Sequence, residues 1–400
     1  MSSAADRVDT KPAPSSMQHQ YGLWDRLLIL RDSVIASKRF QRMAASLPIF
    51  RSIARSRASH LFDVMAGFVY SQILLACVRL NVFNVLAAGP LHIGDLSRAT
   101  NFPVPGLQKL IDAAVAIDLL EERSCGRYGL GKLGSPLVGN EAIAAMVEHH
   151  TAFYADMRDP LALLSGTMSD RNLGKYWPYV SDKDEDQNAL HNKDEVAEYS
   201  ALMSASLPLV ADEIVDAYDF AKHCCMLDVG GGQGTFLRRV QQVAPHLKKM
   251  LFDLPGVAEL AAQQLGSDPQ TDSIQTYGGN FFTDPLPPGA DLITLVRVIF
   301  DHDDARVLAL LQNIHNTLPA GGSLLIAEPM ADAPGAKAMG HAYFGFYLLA
   351  MGRGRPRTIN EISDLLKKAG FNRVRTVPSK MPINTQIVLA RRESKGKYGC

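Results

Sequence analysis

The pattern of hydrophobic and polar positions changes near residue 224. From there to the C-terminus, short apolar runs of strand length alternate with segments in which apolar residues recur at helical spacing. The predicted helices begin near Thr235, Asp304 and Thr358. The predicted strands cover residues 224–229, 249–253, 274–277, 291–297, 322–328, 372–377 and 385–391. Seven strands with interleaved helices indicate an α/β fold with a doubly wound sheet.

A different pattern, mostly of helical period, extends over residues 61–160. A helix is predicted from Val104 to Leu120, with Pro105 in its first turn, and a small β-hairpin is predicted over 121–137. Helices followed by a hairpin are typical of a winged helix, which binds DNA or forms dimers. Since this segment carries no concentrated Lys/Arg face, we interpret it as a dimerisation domain and expect no nucleic acid partner.

Composition sets the remaining boundaries. Residues 1–20 are rich in Ser, Pro and Ala and are predicted to be a disordered tail. Residues 21–60 form a basic amphipathic arm, residues 161–223 a helical linker with a polar stretch at 181–195, and residues 224–400 the α/β domain.

The basic arm is the strongest charge asymmetry in the chain. It contains eight Lys/Arg and two Asp, a net charge of +6, interleaved with large apolar residues, and Pro48 divides it into two amphipathic pieces. A basic amphipathic helix with aromatic residues binds anionic membrane interfaces. The same pattern suits an arm that packs on a partner subunit, and the sequence leaves both interpretations open.

The whole chain is otherwise balanced. It has 400 residues, 47% of them hydrophobic, with 41 basic and 41 acidic side chains. The five cysteines show no metal-ligand spacing, so we expect no metal and a reducing, cytoplasmic environment. Residues 1–20 lack the apolar core of a signal peptide. The apolar stretch Val64–Val78 falls short of the roughly 20 residues of a spanning helix.

The most informative motif follows the first strand of the α/β domain. Asp228-Val229 leads into a run with four glycines in five positions, which includes Gly230, Gly232 and Gly234. Glycines there let a ligand approach the backbone closely. Asp253 ends the next predicted strand, where a carboxylate can bind a ribose diol. The spacing differs from the dinucleotide fingerprint G-x-G-x-x-G, and no phosphate-binding loop is present.

These segments resemble the class I S-adenosylmethionine (SAM) dependent small-molecule O-methyltransferases, a family that includes caffeate and acetylserotonin enzymes. The similarity extends over residues 61–391 and includes Phe252-Asp253-Leu254-Pro255, Gly278-Gly279-Asn280-Phe281-Phe282, Arg297 to Asp304, Gly321 to Glu328 and Arg357-Thr358-x-x-Glu361. Within the family, the arm and the phrases Phe68 to Gln72 and Gly352 to Arg357 are most similar to bacterial hydroxyneurosporene and demethylspheroidene O-methyltransferases, which act on 1-hydroxy carotenoids.

The resemblance implies a Rossmann-like methyltransferase domain, an N-terminal winged-helix domain that forms a homodimer, and SAM as the methyl donor with S-adenosylhomocysteine as product. It implies a cofactor site that contains the residues of the glycine motif and four further positions. The methionine moiety would be lined by Gly230, Gly232 and Gly234, which follow Asp228, and Asp253 would bind the ribose. The adenine would be contacted by Phe281 and by Asn280, which stands where the family has Asp. Arg297 would lie near the cofactor.

The sequence departs from the family at the catalytic base. The family phrase Leu-His-Asp-Trp is replaced by Ile-Phe-Asp-His, so Phe300 stands at the usual base position and His302 two places later. Two interpretations follow. In one, His302 or His341 is the base and Glu328 orients it. In the other, no dedicated base exists and alignment of the reactants supplies about 7–11 kcal/mol of the barrier.

Structural roles compete with these assignments. His302 can cap the helix that opens near Asp303, and the aromatic run that begins at His341 can be core or pocket wall. His149 and His150 lie in an apolar helical stretch and are interpreted as packing residues.

The sequence therefore predicts a SAM-dependent O-methyltransferase with a lipophilic substrate, best matched by a 1-hydroxy acyclic carotenoid. It further predicts a cytoplasmic homodimer with peripheral contact, through residues 21–60, with the inner or photosynthetic membrane. The alternatives are a polyketide or phenolic substrate, and a SAM-binding paralogue without methyl transfer.

Overall fold

A computed structural model describes residues 22–175, 207–333, 335, 337–380 and 385–393. The predicted disordered tail and the polar stretch 181–195 lie outside these residues. The chain divides into two compact units at the boundary between Ala76 and Cys77.

The first unit consists of helices. They are α1 (Leu23–Ala36), α2 (Lys38–Ser46) and α3 (Pro48–Arg79), the last of which continues past residue 76. Pro48 opens α3 as predicted, and an extended residue, Ser37, adds a second break. The predicted end of the arm at residue 60 falls inside α3, because the change in charge there does not interrupt the helix.

Helix α3 also corrects an expectation about membranes. Its 32 residues include a window with mean hydropathy 1.8, of which only 11% is buried. By length and composition alone, this helix is long and apolar enough to cross a membrane. From the sequence, the apolar stretch Val64–Val78 had been expected to be shorter than a spanning helix. The correction arises because the helix extends well beyond that apolar stretch at its N-terminal end.

The second unit begins with a winged helix. Its elements are α4 (Val82–Val85), β1 (Leu91–His92), α5 (Ile93–Thr100), α6 (Val104–Ala116), β2 (Leu120–Arg123) and β3 (Arg127–Leu130). The strands form an antiparallel sheet in the order β1-β3-β2. The hairpin predicted over 121–137 is therefore confirmed, with Cys125 and Gly126 at positive φ in its turn.

Four α-helices lie between the winged helix and the main sheet along the described part of the chain. They are α7 (Glu141–Asp156), α8 (Pro160–Ser165), α9 (Asn172–Lys175) and α10 (207–217). Side-chain caps define the starts of α7 and α8: Asn140 accepts from the backbone N–H of Ile143, and Asp159 from that of Ala162. The buried Asp156 carboxylate accepts three hydrogen bonds from the start of α9 and so fixes α9 to the end of α7.

All seven predicted strands form the main sheet. They are β4 (Cys225–Val229), β5 (Lys248–Asp253), β6 (Gln275–Gly278), β7 (Leu292–Val296), β8 (Ser323–Glu328), β9 (Arg375–Val377) and β10 (Gln386–Arg391). Their order is β6-β5-β4-β7-β8-β10-β9, and β10 is antiparallel to both of its neighbours. The reversal of strand order at β4 places the carboxyl ends of β4, β5 and β7 beside a crevice, the usual position of a nucleotide site.

Helices cover both faces of this sheet. They are α11 (Thr235–Val243), α12 (Pro255–Gly266), α13 (Asp304–Thr317) and α15 (Ile359–Lys368). Helix α14 (Gly345–Met351), which follows a π-helical turn at Ala338–Phe344, packs instead on α7, α8 and α9. Consecutive strand residues point to opposite faces: Met226 packs in the cluster with Phe236 of α11, and Leu227 in the cluster with Leu310 of α13. This three-layer arrangement confirms the doubly wound α/β fold.

Candidate active site

The glycine loop follows β4 and turns tightly into α11. Gly230 has φ +72°, and a Cβ there would lie 2.8 Å from the Cγ2 of Val298. Gly232 has φ +56°, yet nothing lies within 4 Å of the position a Cβ would take. The loop is thus closed on the side of β7 and open at Gly232, which leaves space for a ligand against its backbone.

Asp253 lies at the end of β5, beside this loop. One carboxylate oxygen accepts from the backbone N–H of Gly232 at 2.8 Å and the other from that of Leu254 at 2.7 Å. Burial raises the pKa of Asp253 to about 6, although the hydrogen bonds from both backbone amides lower it. The carboxylate therefore adjoins the open part of the glycine loop.

Asp228 has a different environment. It is 1% exposed, and its Oδ1 accepts from the hydroxyl of Thr294 at 2.6 Å. Burial raises the pKa of Asp228 to about 7. The hydrogen bond ties β4 to β7 under the loop, so the structure gives Asp228 a supporting position.

The segment after β6 brings aromatic rings to the same edge. Asn280 accepts from the backbone N–H of Phe282 through its Oδ1 and donates its own N–H to Asp284, which fixes the turn. The rings of Phe281 and Phe282 lie 5.8 and 5.0 Å from the imidazole of His302, both edge to face. Phe281 and His302 therefore share one small cluster, which the sequence did not indicate.

His302 does not cap the following helix. That role belongs to Asp303, whose side chain accepts from the backbone N–H of Arg306, so the capping interpretation of His302 was wrong. Burial, with a further contribution from the charge of Arg306, lowers the pKa of His302 to about 4. The imidazole is consequently neutral and weakly basic near pH 7.

Glu328, at the end of β8, fixes the backbone of the loop that follows β7. Its Oε1 accepts from the backbone N–H groups of Val298 and Ile299, both at 2.8 Å. The carboxyl group is 1% exposed, and burial raises its pKa to about 7. Arg297, just before, takes φ +58°, an unusual value for a residue with a side chain. Glu328 thus orients this loop backbone, and no contact joins it to His302 among the contacts of the described residues.

Arg357 binds the same loop from its carbonyl side. Its guanidinium is 2% exposed and donates to the carbonyl oxygens of Ile299 and His302, each at 2.7 Å, and to Asp304 at 2.9 Å. From the sequence, Arg357 was noted only as part of a family phrase, and its role in holding the loop was missed. The signal that could have indicated a structural role is its position beside Thr358, which caps α15.

Two buried carboxyl oxygens near this loop have no hydrogen-bond partner among the described residues. They are Oε2 of Glu328 and Oδ1 of Asp301. Burial raises the pKa of Asp301 well above its usual value, with the charge of Glu328 acting in the same direction and that of Arg297 in the opposite one. Both oxygens are buried, so these two carboxyl groups belong to the packed interior beside the loop.

An aromatic cluster lies on the other side of the loop. The Phe300 ring is 6.2 Å from that of Phe344 and 6.0 Å from the guanidinium carbon of Arg297. Tyr343 and Tyr347 join the same cluster, together with Phe153 of α7. His341, one of the candidate bases, is exposed on the π-helical turn.

A cavity of about 360 Å³ lies at the opposite, amino edge of the sheet and includes Lys222, His223 and Asp291. There the His223 ring contacts Asp291 at 2.7 Å and the hydroxyl of Tyr218 at 2.8 Å. Because these polar groups satisfy one another, the candidate site remains at the carboxyl edge.

Comparison with known proteins identifies the class of protein that this site defines. An O-methyltransferase domain matches residues 183–372, and an O-methyltransferase dimerisation domain matches residues 62–140. Demethylspheroidene O-methyltransferase from Cereibacter sphaeroides is 38% identical over 90% of this chain and 93% of its own length. The enzyme of the same name from Rhodobacter capsulatus is 37% identical over 90% and 88%.

A solved structure shows the same architecture. Human N-acetylserotonin methyltransferase in complex with SAM superimposes with a TM-score of 0.67, at 25% identity, over 84% of this chain and 98% of the human chain. The chain therefore belongs to the O-methyltransferase family. It is a SAM-dependent O-methyltransferase, and its dimerisation domain supports a homodimer.

Replacing Arg357 tests the loop's dependence on a buried guanidinium. In Arg357→Lys, a single ammonium cannot reach two carbonyls and a carboxylate, so we expect a loss of about 2–4 kcal/mol in the free energy of unfolding. Urea denaturation of the full chain measures this loss. The control is Arg355→Lys, because Arg355 pairs with the same Asp304 but is 42% exposed; we expect less than about 1 kcal/mol there. Equal losses in both variants would contradict the role assigned to Arg357.

Proposed function

We propose that this enzyme methylates the hydroxyl of a lipophilic alcohol, a 1-hydroxy acyclic carotenoid of the hydroxyneurosporene or demethylspheroidene type. The observation that carries the proposal is Phe300, which replaces the usual base and is 4% exposed within an aromatic cluster. An apolar wall of this kind suits a polyene, and an unreactive alcohol gains little from an early strong base. The names of the two bacterial relatives support the same substrate.

The cofactor would bind at the carboxyl edge of β4 and β5. Bound SAM supplies an electrophilic methyl group on a positively charged sulfur. The open backbone at Gly232 and the neighbouring carboxylate of Asp253 fit the methionine and ribose moieties. Gly230 and Gly234 complete the loop.

The remaining cofactor contacts would come from the segment after β6 and from the end of β7. Phe281 would flank the adenine, and Asn280 retains an amide group and a second carbonyl lone pair, although its Oδ1 already accepts from Phe282. Arg297 would lie beside the cofactor at the end of β7.

SAM binding is expected to depend on pH through Asp253. Its carboxylate accepts the ribose hydroxyls only when charged, and its pKa is about 6. Affinity should therefore be constant well above pH 6 and fall as pH decreases through 6, with Kd increasing about tenfold for each unit below it. Titration calorimetry from pH 8 to 5 measures this dependence.

Asp253→Asn should weaken binding about 10- to 100-fold at pH 8 and remove most of the pH dependence. The matched control is Asp268→Asn, since the Asp268 side chain accepts a local hydrogen bond from Gln270 after α12. This control variant should bind SAM as the unsubstituted enzyme does. An Asp253→Asn variant with the original affinity and pH profile would refute the assignment.

The substrate is tested by methyl transfer from labelled SAM. A carotenoid extract with 1-hydroxy acyclic carotenoids and a simple catechol are assayed in parallel. We expect label in a less polar carotenoid product and little in the catechol. Label in the catechol alone would indicate a phenolic substrate, and SAM binding without any transfer would indicate a paralogue that has lost the reaction.

We further propose that α1 and α2 bring the enzyme to an anionic membrane surface. The apolar side chains of Leu23 and Trp24 are 81% and 71% exposed, and α2 carries Lys38, Arg39 and Arg42 without an acidic residue. Exposed apolar and cationic side chains on short helices favour binding in the interface of anionic lipids. Such binding would bring the enzyme to the membrane that stores its substrate.

Charge reversal tests the membrane proposal. The double variant Arg39→Glu/Arg42→Glu should lose flotation with anionic vesicles, because each basic side chain contributes about 1 kcal/mol near such a surface. The control Arg98→Glu/Lys132→Glu changes the net charge equally, at exposed positions of the winged helix, and should float as the unsubstituted protein does. Equal flotation of both variants would contradict this proposal and favour an arm that packs on the partner subunit.

A further inference from the structure

The aromatic cluster contains two histidine–tyrosine pairs that link α7 to the segment of the π-helical turn and α14. The Nε2 of His149 lies 2.8 Å from the hydroxyl of Tyr347, and the Nε2 of His150 lies 2.6 Å from the hydroxyl of Tyr343. The sequence indicated only packing roles for both histidines. The structure shows that each is hydrogen-bonded to a phenol almost 200 residues away.

The two pairs differ in accessibility. His149 and Tyr347 are 8% and 5% exposed and belong to the interior of the unit. His150 and Tyr343 are only partly buried. The pair of His150 and Tyr343 is therefore the more exposed of the two.

The pair of His150 and Tyr343 also lies beside the loop that lacks a base. The Tyr343 ring is 5.0 Å from that of Phe344, which in turn contacts Phe300. Arg297, at the carboxyl end of β7, is close enough for its charge to act on the Tyr343 hydroxyl. The next residue, Val298, packs against the glycine loop. Tyr343 is thus a polar group near both the proposed cofactor site and the position of the missing histidine.

We propose that the hydroxyl of Tyr343 binds the acceptor alcohol and receives its proton, with His150 as the positioning residue and final proton acceptor. This inference rests on the proposed transfer of a methyl group to an alcohol. The alcohol oxygen forms a bond to the methyl carbon, while the carbon–sulfur bond breaks and its electron pair stays on sulfur. The alcohol proton passes to the Tyr343 oxygen as the phenol proton passes to His150, so one positive charge is present before and after.

The electrostatics agree with this direction of transfer. Burial lowers the pKa of His150, so the ring is neutral before the reaction and, as a weak base, takes the proton only late, when the positive charge leaves the sulfur. Burial raises the pKa of Tyr343 to about 12, while Arg297 acts in the opposite direction, so the phenol remains protonated and relays a proton without losing it permanently. A late proton transfer of this kind suits an alcohol of low acidity.

Kinetics of four variants of the full chain test the inference. Tyr343→Phe should lower kcat about 100-fold with little change in KM for SAM, because a proton relay contributes to the transition state. His150→Gln keeps a hydrogen-bond acceptor for Tyr343 but cannot take the proton, so kcat should fall while substrate KM is retained. The matched controls are Tyr218→Phe and His223→Gln, which alter a histidine–tyrosine pair with a 2.8 Å contact at the amino edge of the sheet and should retain kcat. If Tyr343→Phe loses no more activity than Tyr218→Phe, the inference is overturned.

A binding measurement separates this inference from the proposed function. With S-adenosylhomocysteine present, the absorption shift of a bound polyene gives Kd for a 1-hydroxy acyclic carotenoid and for the same polyene without the hydroxyl. The unsubstituted enzyme should prefer the alcohol about fivefold, and Tyr343→Phe should show no preference. An enzyme with this preference but no methyl transfer would contradict the proposed function alone. Equal preference in the enzyme and in Tyr343→Phe would overturn the assignment of Tyr343.

Discussion

Two buried polar side chains, the carboxyl group of Glu328 and the guanidinium of Arg357, fix the backbone that follows β7, and the geometry of the site depends on them. Glu328 accepts from the N–H groups at the start of this loop, and Arg357 donates to carbonyl oxygens further along it. Both side chains are almost fully buried, so removal of either would leave backbone groups or a charge without a partner. Because the loop is held from both sides, Phe300 and His302 belong to different clusters: Phe300 packs with Phe344, and His302 packs with Phe281 and Phe282.

This division gives the site two chemically distinct parts. The part beside β4 and β5 offers open backbone and a carboxylate, which suits the polar moieties of the cofactor. The part beside α7 and α14 is aromatic, with few polar atoms, and nearly all of those belong to histidine–tyrosine pairs. An enzyme with these two parts can align a lipophilic alcohol with a polar methyl donor while its apolar walls exclude water. In the proposed reaction, alignment and exclusion of water would lower the barrier together with the proton relay of Tyr343 and His150.

The secondary-structure elements and the proximity of the glycine loop to Asp253 could be predicted from sequence, because strands of apolar residues that end in glycine or aspartate carry a local signal. Helix α3 shows a limit: the arm was bounded by its charge, whereas the helix continues across residue 60. The direction of the His302 side chain could not be predicted, since it depends on the loop backbone, whose N–H groups donate to Glu328 and whose carbonyl groups accept from Arg357. The pairing of His150 with Tyr343 was also inaccessible, because it joins segments that are distant in sequence and neither residue belongs to a motif.

The most direct test of this account is a crystal structure of the enzyme with S-adenosylhomocysteine and a 1-hydroxy acyclic carotenoid. We predict that the acceptor hydroxyl lies within hydrogen-bond distance of the Tyr343 oxygen, on the Phe300 side of the loop. The thioether sulfur should face the reacting oxygen from the far side of the space that the transferred methyl group would occupy. The polyene chain should follow the aromatic cluster away from the cofactor. A hydroxyl bound to His302 or His341, or a carotenoid bound away from the loop after β7, would contradict the account.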